Sequence, residues 1–429
     1  MRSIGLDVHR DFCEVAIVED GEVRSAGRIA TSPESIALFA GSLCPTDQVV
    51  LETTSGAIEI ARLLGPHVAR VVLANAADVR AIAHARVKSD RFDAATLARL
   101  LAAGMLDGGV WVPDERIGAL RRRIARRAAL VRQRTRAKNE IHAVIMRCLL
   151  GRPPASDLFG KKGRAWLATQ QLPPAEAETV AGCLRQVDFL GTEIAAIDAK
   201  LAEFALTSPQ AKRLMTIPGV DVAAACTLIA AIGDIRRFDS PRKLAAYLGL
   251  DPRVRQSGEK PARHGRISKR GNPHARHVLV EAAWQAMRTP GPLRAFGERI
   301  RARKGTQVAA VAVARKIATI AWQMLTRGED YAFQSPSLVR KKVRNAELKS
   351  GAPRLSTRHT GTRQRVTPDE RERDRELQQQ AENGYRRLIA DWQATGPKAG
   401  AGATPGRASS RPSTRQATRQ TTESQTSAL

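Results

Sequence analysis

The sequence predicts an α/β fold at the N-terminus, a mixed sheet flanked by helices, followed by mainly helical segments. Three observations carry that expectation. Short apolar runs bounded by turn residues fill positions 3–30, 47–53 and 70–75, and helical stretches separate them. The resulting order, β-β-β-α-β-α-β-α, fits a mixed sheet with helices packed on it. From Trp111 onward, apolar residues recur at three, four and seven positions, which is helical spacing.

Residues 3–18 hold two β-rich runs around the polar turn His9-Arg10-Asp11, a hairpin signal, and Gly21 opens a third strand through Val23–Ala30. Ser32 is a good N-cap, with Pro33 and Glu34 in the first turn of the helix that follows. Asp47–Thr53 and Arg70–Asn75 read as strands, and Ser55–Gly65 and Ala76–Ala85 as helices. A further helix begins at Asp90, with Leu97, Leu100 and Leu101 on one side. Between Arg116 and Lys138 there are ten basic residues and no acidic one, on a long amphipathic helix. A loop-rich insert lies between Gly151 and the Pro173-Pro174 pair. The next helix, roughly Ala175–Leu206, is acidic, so the two fit either an antiparallel coiled coil, within or between chains, or two helices of a bundle. Residues 210–325 read as another compact segment. Beyond residue 337 apolar content falls away; one mixed-charge helix is expected at Pro368–Trp392, and a disordered basic tail around and after it.

A chain of 429 residues is long enough for two or three domains, and 43% hydrophobic content supports globular cores. The charge balance, 70 Lys+Arg against 42 Asp+Glu for a net +28, implies a polyanionic partner. Only 4% of residues are aromatic, which argues against a platform that stacks a single strand base by base. Cys13, Cys44, Cys148, Cys183 and Cys226 contain no CxxC pair, so a zinc site or disulfide framework is not expected. No apolar signal core opens the sequence and no run of 18 apolar residues occurs, so the expected location is cytoplasmic, with no membrane partner.

Against this basic background, Asp7, Glu52, Asp90 and Asp93 stand out. Asp7 lies in the first strand and Glu52 ends a later one, while Asp90 and Asp93 share one side of a helix start. Converging carboxylates repel unless cations neutralise them, and Mg²⁺ would do so while holding a phosphate. The plainer alternative is a solvated hairpin Asp, a strand-end Glu and two helix-start acids favoured by the dipole. A second constellation spans residues 248–272, where Ser257-Gly258 sits among Arg253, Arg255, Lys260, Arg263, Arg266, Lys269 and Arg270. A serine beside a scissile phosphate can attack phosphorus; Ser268 competes for that role, and a Ser-Gly turn in a phosphate-binding loop needs no chemistry at all. Ile217-Pro218-Gly219-Val220 fits the turn of a helical hairpin whose N–H groups bind phosphate, or an ordinary packed turn. His274 and His277 have metal-ligand spacing but no third ligand.

Taken in order, IGLDVH, LETTSG, KSDRFDA, IPGV, SPRKLAAYLGLDP, QSG and GRISKRGN resemble the DEDD transposases of insertion sequences, relatives of the Piv-type DNA invertases. The resemblance covers residues 1–325 and departs at His9-Arg10, where a small residue and Lys are more usual, and in the C-terminal tail. It implies an RNase H-like, resolvase-like domain over 1–108, a helical coiled-coil connector over 109–206 and a C-terminal domain with a helix-hairpin-helix over 207–330; the basic low-complexity tail over 331–429 is expected from composition alone. The resemblance also implies Mg²⁺ (or Mn²⁺) at Asp7, Glu52, Asp90 and Asp93, Ser257 as nucleophile, donor and target DNA, and a structured guide RNA; a dimer or tetramer is the expected assembly. Arg121, Arg122, Arg126, Arg134, Lys138, Gly219, Arg253, Arg255, Arg266, Lys269 and Arg270 are the expected nucleic-acid contacts. The rival expectations are an RNase H-like junction resolvase or nuclease using water, and a non-catalytic nucleic-acid-binding protein.

Overall fold

The computed structural model describes residues 1–76, 79, 82, 89–106, 109–258, 260–353 and 366–395. The expected helix 76–85 and the end of the chain beyond 395 lie largely or wholly outside them. The chain divides into two compact units. The first holds Met1–Ala211, Val222–Arg237 and Lys349–Gly351; the second holds Lys212–Asp221, Phe238–Leu348 and the described residues from Ala352 on.

Unit 1 starts with the expected hairpin. β1 (Ser3–Val8), β2 (Phe12–Glu19) and β3 (Glu22–Ala30) form an antiparallel meander. β4 (Gln48–Glu52) and β5 (Arg70–Ala74) add in parallel beyond β1, giving the order β3-β2-β1-β4-β5. Strand alternation divides the core between the two faces. Ile4, Leu6, Val15, Val49 and Leu51 pack with Ile36 of α1 (Pro33–Gly41) and Ile60 and Leu64 of α2 (Ala57–Leu64). The opposite face carries α3 (Asp90–Ala102), through Ala94 and Ala98 on Ala16 and Val18, and Leu97 and Leu101 on Val50 and Val72. Ser32 and Ser89 cap α1 and α3, their side chains accepting from Ser35 N and Phe92 N.

The helical part of unit 1 is an intrachain antiparallel pair, α4 (Glu115–Arg147) against α6 (Pro174–Thr207). Arg147 near the end of α4 meets Glu176 at the start of α6, at 2.8 Å. Arg127 meets Asp198 at 2.5 Å, and the Arg116 guanidinium lies over Phe204. The expected loop-rich insert contains a short helix, α5 (Lys161–Ala168), whose Leu167 joins Ile141, Val144, Val180 and Cys183 in one cluster. The apolar helix α8 (Val222–Ile232) is buried along almost its whole length.

Unit 2 is mainly helical. It takes most of α7 (Pro209–Met215), followed by α9 (Pro241–Tyr247), the two-stranded ribbon β6 (Pro252–Arg255) and β7 (Arg263–Ile267), α10 (Pro273–Ala286), α11 (Pro292–Lys304) and α12 (Thr306–Arg327). α12 is the one described helix long and apolar enough to cross a membrane; its face of Ala309, Ala310, Val313, Ala314, Ile317 and Ala321 is buried in this unit. The mixed-charge helix expected at Pro368–Trp392 is α14 (Pro368–Thr395), and the region expected to be low-complexity also forms α13 (Pro336–Lys349). What docks α14 is polar. Glu382 is fully buried and accepts from Gly291 N at 2.9 Å and Arg294 Nε at 2.8 Å, satisfying the start of α11. A reading based on apolar content has no means of seeing that contact.

Candidate active site

A missing side chain builds the carboxylate site. A Cβ at Gly5 would lie 2.1 Å from Ala94 O, so only glycine lets α3 rest on the backbone of β1. That contact sets the first turn of α3 against the end of β1. Asp7 follows Gly5 by two residues and therefore shares its face. Leu6 pairs with Leu51, so Asp7 and Glu52 are the next residues on neighbouring parallel strands.

Asp7, His9 and Asp90 each offer a ligand atom within 4.8 Å of the other two. His9 Nε2 lies 3.1 Å from Asp7 Oδ2 and 3.4 Å from Asp90 Oδ1. Glu52 and Asp93 are not in that set. Burial pushes the Asp7 carboxyl above the ordinary carboxylate range, His9 opposes the shift, and the charges of Asp93 and Asp90 add to it. Acidic oxygens around a desolvated carboxyl fit a hard divalent cation, which removes the repulsion that burial strengthens.

Three residues of this site were not singled out in the sequence. His9 bridges the two aspartates. Glu14, opposite Asp7 across the hairpin, is 1% exposed and accepts from Arg28 Nε at 2.7 Å, with Arg91 Nε at 3.4 Å. Arg28 also reaches Asp90 at 3.7 Å and lies over the Phe12 ring. The available signal was a lone acid inside the apolar strand FCEVAIV, which needs a cation when buried.

In unit 2, Ser257 is exposed in the connection between β6 and β7. Arg253, Arg255, Arg266, Lys269 and Arg270 are exposed along the ribbon and the residues after it. Ser268 is committed elsewhere: its Oγ donates to Asp251 Oδ1 at 2.6 Å and its N–H to Asp251 O. His274 and His277 form no metal-ligand group among the described residues.

The expected nucleic-acid contacts divide. Arg122 and Arg126 are exposed, Arg122 pairing with Glu115, and Arg134 is half-buried. Lys138 sits over the Phe159 ring. Arg121 turns inward. It donates to Ala230 O at 2.6 Å and Ala231 O at 3.3 Å and stacks on Trp111, closing the last turn of α8. Gly219, with φ +82°, has no room for a side chain, because a Cβ would lie 2.3 Å from Ala282 O. Ile217, Pro218 and Val220 around it are buried, and Lys342 Nζ donates to the carbonyls of Met215 and Ile217 at 2.6 and 2.8 Å.

A two-sided sheet with an acidic cluster at a strand end, in a strongly basic chain, is the profile of a protein acting on nucleic-acid phosphates. Residues 4–149 match the family model of the IS110-type DEDD transposases, and residues 211–298 that of the transposase IS116/IS110/IS902 family. The chain is 32% identical over 294 residues to the putative transposase y4qE of Sinorhizobium fredii, covering 66% of this chain and 70% of the relative. It is 31% identical over 258 residues to the transposase for insertion sequence element IS1111A of Coxiella burnetii, covering 57% and 68%. For the transposase for insertion sequence element IS1328 of Yersinia enterocolitica the figures are 31% over 210 residues, 47% and 61%. The chain belongs to the DEDD transposases of insertion sequences.

Proposed function

We propose that this protein cuts and rejoins DNA strands with a metal–carboxylate centre and a serine nucleophile. The observation that carries the reading is the convergence of Asp7, His9 and Asp90 on one end of the sheet. Asp7 and Asp90, with Glu52 and Asp93 beside them, would hold the cation, Mg²⁺ or in its place Mn²⁺. When bound, the cation supplies Lewis-acid neutralisation of charge at a scissile phosphate. His9 keeps the two aspartates oriented, and Arg28 holds Asp90 from the other side.

Ser257 Oγ forms a bond to phosphorus as the bond from phosphorus to a deoxyribose oxygen breaks, and the serine proton ends on that oxygen. The cut end is then stored as a phosphoserine ester. A deoxyribose hydroxyl of the exchanged strand reverses the step and frees the serine. Bond energy is conserved, so no nucleotide cofactor is required. The exposed ribbon cations, with Arg122 and Arg126 on α4, neutralise backbone phosphates of donor and target DNA and of a structured guide RNA. The regions 1–108, 109–206 and 207–330 serve as an RNase H-like catalytic domain, connector and nucleophile domain. Gly219 is a packing glycine in this scheme, and the helix-hairpin-helix reading of its turn requires N–H groups that reach a phosphate from a mostly buried loop.

The test is strand exchange on element-end DNA. Asp7→Ala and Ser257→Ala each abolish it while leaving DNA binding intact, and a denaturing gel detects a protein–DNA adduct only when Ser257 is present. A Ser257→Ala protein that still exchanges strands removes the covalent scheme. Cleavage without an adduct converts the reading to a nuclease that uses water. Mixing the two inactive variants reports whether the groups act from different subunits of a dimer or tetramer: restored exchange means that they do.

A further inference from the structure

Unit 2 contains a cavity of about 350 Å³ between α11, α12, residues 329–333 and α14, mostly past residue 298, where the matched family models end. Four rings line it, Phe296, Tyr331, Phe333 and Tyr385, in a chain that has only three tyrosines and nine phenylalanines. Tyr331 is 6% exposed and meets Phe333 edge-on, with centroids 5.9 Å apart. Its hydroxyl has no hydrogen-bond partner among the described residues. The hydroxyl is not among the fully buried unpartnered polar atoms, so water reaches it, and a ligand that covered it would have to complete it.

The wall is fixed in advance. Tyr331 N donates to Thr216 Oγ1 at 3.0 Å, and the buried Gln378 of α14 donates to the carbonyls of Phe333 and Gln334, both at 3.0 Å. Gln323, Glu329 and Asp330 bring hydrogen-bonding groups to the lining, and the exposed cations Lys316 and Arg327 also border it.

We propose that this cavity takes one unpaired nucleobase from a single-stranded nucleic acid, a proposal that rests on the nucleic-acid reading above. The base packs on Phe333 and Tyr385, its polar edge completes the Tyr331 hydroxyl and meets Gln323 and the acids, and the flanking phosphates meet Lys316 and Arg327. An apolar side chain from a protein partner would leave the Tyr331 hydroxyl unsatisfied. The low aromatic content still excludes a long stacking platform, because one pocket for one base needs only the rings gathered here.

The probe is a single strand of about twelve nucleotides carrying one 2-aminopurine, titrated into the full chain as DNA and as RNA of the same sequence. Wild-type protein quenches the fluorophore. Phe333→Ala, at a partly exposed ring, and Gln323→Ala, at an exposed side chain, each lose the quench, and Phe333→Ala weakens binding about ten-fold. Duplex binding and the melting curve stay as in wild type. Tighter binding of one strand type identifies the source of the base. Wild type that binds both single strands and duplex, with both variants unchanged, overturns the pocket alone. Wild type that binds no nucleic acid at all overturns the parent reading.

Discussion

The carboxylate centre of unit 1 and the serine ribbon of unit 2 are built in opposite ways. The first is fixed by close packing: a glycine contact holds α3 to β1, and His9, Arg28 and the buried Glu14 brace the acids. The second is a two-stranded ribbon with exposed cations and an exposed serine. A two-stranded ribbon is marginal by itself, so in the proposed scheme its working geometry is completed by the nucleic acid it would bind. Metal binding needs carboxylates placed in advance, whereas a nucleophile that must reach a phosphate on a large substrate benefits from freedom. The two halves should therefore fail differently when altered.

The largest effects fall on activity. Asp7→Asn and Ser257→Ala are each expected to lower strand exchange by about 10³-fold or more. Their thermal behaviour should separate them. Wild type and Ser257→Ala gain melting temperature on adding Mg²⁺ or Mn²⁺, since a ligand of the folded state stabilises it, by about 2.7 kcal/mol at a hundred times the dissociation constant. Asp7→Asn gains little. Without metal, that variant is no less stable than wild type, because burial makes the Asp7 charge unfavourable. Calorimetry with and without metal checks this, and equal metal shifts in all three proteins would break the contrast.

The second effect tests how firm the unit beneath the ribbon is. Burial pushes the Lys342 ammonium down to about 8, against the attraction of Asp221. A lysine depressed in the folded state is less protonated there than in the unfolded chain between pH 8 and its ordinary value. The penalty is therefore present in full below pH 8 and fades as pH rises through that window, so stability increases by no more than about 3 kcal/mol. Urea titrations of the wild type at pH 7.5 and 10, each compared with Lys342→Met, read the difference; a gain of the same size in the variant assigns it to other groups.

The third effect concerns the packing that makes unit 1 rigid. Gly5→Ala forces α3 away from β1 and is expected to destabilise by about 1–3 kcal/mol, as overpacking does. It should also weaken metal binding, since Asp90 moves with α3 while Asp7 does not. Full metal affinity in a destabilised Gly5→Ala protein would show that the acids do not depend on this contact.

Local signals were legible where chain-adjacent residues carry them. The hairpin around His9-Arg10-Asp11 and the Ser32 cap follow from near neighbours, and the pairing of the two long helices from the opposite charge each carries along its own length. The four acids were visible because a basic chain makes them stand out. The bracing shell was not, because the role of Glu14 depends on the hairpin register that sets it opposite Asp7 and on Arg28 across the next strand. The helix α14 was legible but its docking was not, for a related reason: it docks through Glu382 and Gln378, whose value lies in the groups they satisfy on α11 and near Phe333. Polar burial leaves no periodic apolar trace.

The smallest effect separates two arginines five residues apart on α4, which the sequence treats alike. Arg121→Ala leaves Ala230 O and Ala231 O without their guanidinium partner and should lower stability by about 1–3 kcal/mol. It should leave the salt dependence of DNA binding unchanged, since the inward guanidinium offers no phosphate contact. Arg126→Ala removes an exposed cation, leaves the melting temperature within error, and reduces the slope of log affinity against log salt by about 0.9 for one lost phosphate contact. Binding isotherms at four salt concentrations resolve that change. A reduced slope in Arg121→Ala, or none in Arg126→Ala, would mean that the basic run works as a diffuse field, not through individual contacts, and the helix would then belong with the pliant ribbon instead of the fixed centre.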